Sequence, residues 1–161
     1  PQLGQIKAEI EHLAKAHGVL WHGMVGQDTL AEAFSHCGFL LYPCIWKETS
    51  CITAMKAMAM GAIPITSRYP VSALPETCGA FDLGPAAREG MISESPEWLA
   101  EWTAAVIESA GGDHQRMRPE MKAWARKTYS WKAVAKQWAT LFRKHSSAAA
   151  KNNSRPAALP A

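Results

Sequence analysis

One unbroken stretch, residues 38–66, constrains the fold more than any other feature. Residues 38–42 are apolar and aromatic, residues 51–60 are helix-forming, and residues 63–66 are rich in β-branched side chains. A short loop separates the first two segments and Gly61 follows the helix-forming one, an order that predicts a parallel βαβ unit. Gly61 falls where a helix ends in a left-handed residue. A chain built around such a unit is an α/β domain, with a Rossmann-like parallel sheet flanked by helices. In open parallel sheets ligands bind beyond the carboxyl ends of the strands, and the loop 43–50 lies at that edge.

The residues of that edge have the chemistry of an anion and sugar site. Thr49 and Ser50 are candidate caps of the helix, leaving the backbone N–H groups of Cys51 and Ile52 to point out of its N-terminus. A helix end of this kind attracts anions, so a diphosphate would rest there. Glu48, just before it, accepts hydrogen bonds from sugar hydroxyls, because an ionised carboxylate only accepts. Thr49, Ile52 and Lys56 share a helical face, which sets Lys56 roughly 10 Å along the axis from Thr49.

These residues resemble the donor-sugar site of retaining glycosyltransferases. The chain is similar to the C-terminal half of a GT-B-fold enzyme of the family 4 (group 1) type, whose signature is a Glu, seven residues and a second Glu on a Glu-Ala-Met-Ala-like helix. Glu48 falls on the first position and Lys56 on the second. Val19, Leu20, Trp21, His22, Gly23, Met24 and Val25 resemble the family's strand and glycine turn before an Asp-Thr-Leu helix. Gly61, Ala62, Ile63, Pro64 and Ile65 resemble its Gly-x-Pro-Val-Ile strand. Leu74, Pro75 and Glu76 fall where the family returns toward the donor, and Tyr129, Ser130 and Trp131 resemble the start of a closing helix that packs back across the molecule. The resemblance spans residues 3–144.

The resemblance implies transfer of a sugar, with retention at the anomeric carbon, from a nucleotide-diphosphate donor to an acceptor hydroxyl. It implies Glu48 as the catalytic-site carboxylate and Thr49, Ser50, Cys51, Ile52 and Lys56 as donor-binding, with Gly23, Met24 and Val25 bordering the nucleobase. The leaving diphosphate is then stabilised by basic side chains and a helix end, with no metal and no cofactor beyond the donor itself. The acceptor, a glycan, lipid or small molecule, would be held by an N-terminal domain upstream of Pro1. That upstream region would also carry the Arg and Lys that neutralise the diphosphate, so the fragment alone is expected to be inactive. Lys56 departs from the pattern. An ammonium has three donors and no acceptor, so it meets a ribose hydroxyl acting as acceptor or a phosphate, or the site no longer turns over. A nucleotide-sugar 2-epimerase of the same fold and a non-catalytic nucleotide-sugar-binding module are the alternative readings.

Composition fits a single domain. The chain has 161 residues, 48% hydrophobic and 19% charged, enough for one α/β core and short for two domains. Residues 1–145 are expected to form it, with residues 146–161, rich in Ala, Asn and Pro, as a disordered tail. The net charge of +3 is spread along the chain, which argues against nucleic acid as a partner. No run reaches the roughly 18 apolar residues of a membrane span. Cytoplasm or the cytoplasmic face of a membrane is the expected location. Cys37, Cys44, Cys51 and Cys78 lack zinc-like spacing and read as reduced thiols on core elements. His12, His17 and His22 are five apart and share no helical face.

The remaining pattern is helical. Ile6, Ile10 and Leu13 mark an opening helix over residues 3–16, and residues 80–83 read as a brief further strand. Ser95 is a candidate N-cap with Pro96 in the first turn. Trp98 and Trp102, then Met117, Met121 and Trp124, then Trp131, Val134, Trp138, Leu141 and Phe142 form three helical stripes expected to lie in the core.

Overall fold

A computed structural model describes residues 2–44, 46–68, 71–85 and 95–153. The protein is mixed α/β. Its elements run α1 (Gln2–Ala16), α2 (Gln27–His36), β1 (Phe39–Tyr42), α3 (Ile52–Met60), β2 (Ile63–Thr66), α4 (Leu74–Cys78), α5 (Pro96–Gly111), α6 (Arg118–Tyr129) and α7 (Trp131–Asn153). The expected βαβ unit is present: β1 and β2 pair in parallel, with Phe39 opposite Ile63 and Tyr42 opposite Thr66, joined by α3.

β2 is the buried strand. All four of its residues are inaccessible to solvent, and among the described residues its far edge is completed without another strand. In a strand, successive N–H groups point to opposite edges, so Pro64 and Thr66 face away from β1. Pro64 has no N–H to satisfy, while its carbonyl accepts from Leu83 N–H at 3.0 Å. The Thr66 N–H is met by the Asp82 carboxylate at 2.9 Å. The same carboxylate accepts the Thr66 hydroxyl and, at 2.9 Å, the Gly84 N–H. A side-chain clamp thus occupies the place of the strand expected over residues 80–83. That segment instead begins as a 3-10 turn, Gly79–Phe81, because Asp82 spends its carboxylate on backbone donors that a ladder would otherwise pair. The approach is so close that a Cβ on Gly84 would stand 1.9 Å from the Thr66 carbonyl oxygen.

α3 covers the sheet through Ala54, Ala57 and Met58, all fully buried, and the two alanines let α6 pack closely on it. The core joins these to Ile63, Leu74, Cys44, Cys51, Cys78, Met121 and Ala125. At its C-terminus α3 ends on Gly61 with φ 110°, as the sequence predicts, the Gly61 N–H returning to Ala57 and Met58. Two arginines of α6 meet the carbonyls of this end: Arg118 Nε donates to Gly61 O at 2.8 Å and Arg126 Nε to Ala59 O at 3.0 Å. Cations at this end also complement the helix dipole. The predicted cap of α5 forms, with the Ser95 hydroxyl accepting from Trp98 N–H.

Three expectations are corrected. Residues 19–22 form no strand; α1 ends at Ala16 and Gly18 follows in the left-handed region, and Val19, Leu20 and Trp21 are exposed with no strand beside them among the described residues. The stripe of α7 is not core: Trp131, Trp138, Leu141 and Phe142 are exposed, whereas Trp98 and Met121 are buried. The face of α1 bearing Ile6, Ile10 and Leu13 is exposed as well. Finally, α7 continues past Ser146 to Asn153, since alanines 148–150 are strong helix formers. Residues 154–161 lie outside the described residues.

Candidate functional site

The carboxyl ends of β1 and β2 and the head of α3 converge at one edge of the sheet. Glu48 is half-buried there, and its position is fixed twice. The Tyr42 hydroxyl, at the last residue of β1, donates to Glu48 Oε2 at 3.0 Å, and the Glu48 carbonyl accepts from Ala73 N–H at 2.7 Å. The second bond draws α4, with Glu76 exposed in its first turn, against the Glu48 loop. Burial pushes the Tyr42 phenol well above its usual range, with Cys51 and the bond to Glu48 adding to the effect. The phenol therefore stays protonated and keeps donating. One oxygen of the carboxylate is thus anchored, and the other remains available to accept from a hydroxyl.

The head of α3 differs from the sequence expectation. Neither Thr49 nor Ser50 caps it; both are exposed, and Cys51 is the N-cap residue, with no side-chain capping bond. The Ile52 N–H is not free, because it donates to the Ser50 carbonyl at 3.1 Å. Cys51 is buried instead of Thr or Ser presenting an oxygen because its sulfur is at home in the apolar cluster below. Burial raises its thiol pKa, partly offset by the facing N–H groups of Ala54 and Thr53. Cys44, buried beside the loop, is likewise pushed up by burial.

Lys56 is exposed one turn beyond Ile52, and its Nζ donates to Gln27 Oε1 at 2.5 Å. Gln27 opens α2 directly after Val25 and Gly26, so this bond ties α3 to the glycine turn. Gly23 has φ 65°, Met24 is fully exposed and Val25 is half-buried. Lys56 stands on a ridge between two grooves. One, of about 310 Å³, runs between α2 and α3 past Gln27, Asp28 and Phe34. The other, of about 590 Å³, lies between α3, α6 and α7 and is lined mainly by apolar groups such as Met55, Tyr129 and Val134.

Sequence reasoning passed over three residues of this edge. Tyr42 could have been found from its place at the strand end, six residues before Glu48. Ser67 and Arg68 follow β2 directly; Ser67 is buried with its hydroxyl unpaired, and Arg68 adopts φ 44°, uncommon for a residue with a Cβ. Arg68 lies within electrostatic reach of the buried Cys78 thiol, which in turn feels Cys51 at the head of α3. Burial is the main cause of the raised Cys78 pKa. Among the described residues no group of three His, Cys, Asp or Glu side chains is placed to hold a metal ion.

Comparison with known families matches residues 1–124 to the family described as glycosyl transferases group 1. No curated protein matches the chain.

Proposed function

The chain belongs to the group 1 glycosyl transferases, and on that premise we propose that this domain binds the nucleotide-sugar donor, with Glu48 holding the transferred sugar. The observation that carries the reading is the Tyr42–Glu48 hydrogen bond of 3.0 Å at the carboxyl edge of the sheet. A carboxylate fixed at one oxygen is preorganised to accept sugar hydroxyls with the other.

In this reading the diphosphate lies between the head of α3 and Arg68, which follows Ser67 just beyond the end of β2. Ser67 would supply a further donor. Thr49 and Ser50, exposed beside Glu48, line the approach. The nucleoside extends along α3 toward Lys56 and Gln27, with Gly23, Met24 and Val25 beside the base. Lys56 takes the place of a ribose-binding carboxylate, and the pair it forms with Gln27 offers both donors and an acceptor to the ribose. The reaction would be hexosyl transfer with retention, of the family 4, GT-B type and independent of a metal. It would need an acceptor-binding domain, without which this part alone is inactive.

Titration of the complete protein with a panel of nucleotide sugars, wild type against Glu48→Ala, tests the assignment. A loss of at least tenfold in affinity for one donor is expected; equal, weak binding by both proteins would reject it. The Lys56–Gln27 bond also favours a second reading, a binding module without turnover. Lys56→Glu separates the two: a large gain in transfer marks a decayed site, and a loss marks a lysine adapted to its donor.

A further inference from the structure

We propose that the groove between α6 and the C-terminal ends of α2 and α3 binds a soluble phosphate monoester. The inference does not depend on the donor site, because the groove lies at the opposite end of α3 from the Glu48 loop. Arg118, Lys122 and Arg126 follow one another at four-residue spacing on α6, which lines them up along one ridge of the helix. Together with Ser35, Met60 and Gln115 they line a groove of about 610 Å³. No Asp or Glu stands among its lining residues.

The charge of the groove selects the ligand. Arg118 is held by Gly61 O at 2.8 Å, Cys37 O at 2.9 Å and Gln115 Oε1 at 3.0 Å. Arg126 gives only its Nε, to Ala59 O at 3.0 Å, so its terminal N–H groups are oriented and left for a second acceptor. That fork matches the spacing of phosphate oxygens. Lys122 is half-buried and its ammonium meets no hydrogen-bond or ion-pair partner among the described residues. The helix ends account for part of the cluster. Each carries about half a negative charge, so the ends of α2 and α3 together offset roughly one cation of the row. About two positive charges remain, at a spacing where like charges repel. A phosphate monoester carries about −1.5 to −2 at neutral pH and matches that surplus. Cations elsewhere are compensated in place, Lys7 by Glu11 at 3.8 Å and Arg116 by Asp113 at 3.3 Å. The volume lies in the range of small-molecule sites and leaves room for the organic part of the ester.

Titration of the full chain with glycerol phosphate at low ionic strength, followed by backbone amide shifts, tests the site, with glycerol as the neutral control. Shifts should centre on Met60, Gly61 and the α6 ridge, and glycerol should cause none. Lys122→Gln should weaken binding by roughly tenfold or more, the loss of one charge-assisted hydrogen bond, while Glu48→Ala should bind like wild type. Arg126→Lys, which keeps the charge and removes the fork, should also weaken it, and it carries the decision if Lys122→Gln unfolds. Absence of binding overturns the proposal, as do shifts centred on the Glu48 loop or a Lys122→Gln variant that binds like wild type. Binding to phosphatidic acid vesicles without binding to glycerol phosphate would mark a lipid-headgroup site and overturn it as well.

Discussion

Replacing Asp82 is expected to loosen the whole carboxyl edge of the sheet. Asp82 is 8% exposed and meets the Thr66 N–H and the Gly84 N–H at 2.9 Å each, together with the Thr66 hydroxyl. Asp82→Ala strands two backbone donors in the interior. At about 1–3 kcal/mol for each buried unpaired group, the expected loss is about 4 kcal/mol. The Thr66 hydroxyl adds little, since it rotates and already accepts from Arg68 N–H at 3.1 Å. Against a total stability of about 5–15 kcal/mol this is a large fraction, and it corresponds to a fall in Tm of roughly 10 °C. Asp82→Asn should cost much less, about 1 kcal/mol. Its amide oxygen keeps both N–H bonds, and its NH2 group donates to the Thr66 hydroxyl once that hydroxyl turns round. Urea titration followed by circular dichroism measures both variants. The reasoning fails if Asp82→Ala lies within about 1 kcal/mol of wild type, or if Asn is as damaging as Ala.

Gly84→Ala should be at least as destabilising as Asp82→Ala, because its Cβ would stand 1.9 Å from backbone rather than from a movable side chain; a well-folded variant with an unchanged urea midpoint would contradict this. Stability should also fall at alkaline pH. Cys44, Cys51 and Cys78 have pKa values raised above the ordinary 9.0 in the folded state, so the folded protein holds these protons more tightly than the unfolded chain. Their contribution is complete below pH 9.0 and declines above it, by at most about 1.4 kcal/mol per pH unit for each thiol. Urea midpoints that stay level from neutral pH to about pH 10 would show that the thiols are not buried as described. Tyr42→Phe should leave the core intact at a stability cost of about 1 kcal/mol and weaken donor binding less than Glu48→Ala does; calorimetric titration that ranks them in the opposite order would remove Tyr42 from its positioning role.

The βαβ unit was legible because its signals are local: an aromatic strand, an alanine-rich helix, a terminal glycine and a β-branched strand follow one another without a gap. Glu48 was legible for the same reason, standing at the loop such a unit must form. The head of α3 was misread because Thr49 and Ser50 have the chemistry of caps, while burial of the Cys51 sulfur shifted the helix start by a residue and closed off Ile52. The clamp of Asp82 on Thr66 joins residues sixteen apart, and no periodicity announces a side chain that takes a strand's place. The tryptophans of α5 and α7 look alike in sequence. Only the packing shows Trp98 buried and Trp138 exposed, since helical spacing fixes which residues share a face and not what that face meets.

The central claim is that Glu48 reads the sugar while other groups hold the nucleotide. Isothermal titration of the complete protein with a nucleoside diphosphate and with the matching nucleotide sugar, on wild type and on Glu48→Ala, tests it most directly. The account predicts that the variant loses at least tenfold in affinity for the nucleotide sugar and retains its affinity for the diphosphate. Equal losses for both ligands, or no loss for either, would contradict it.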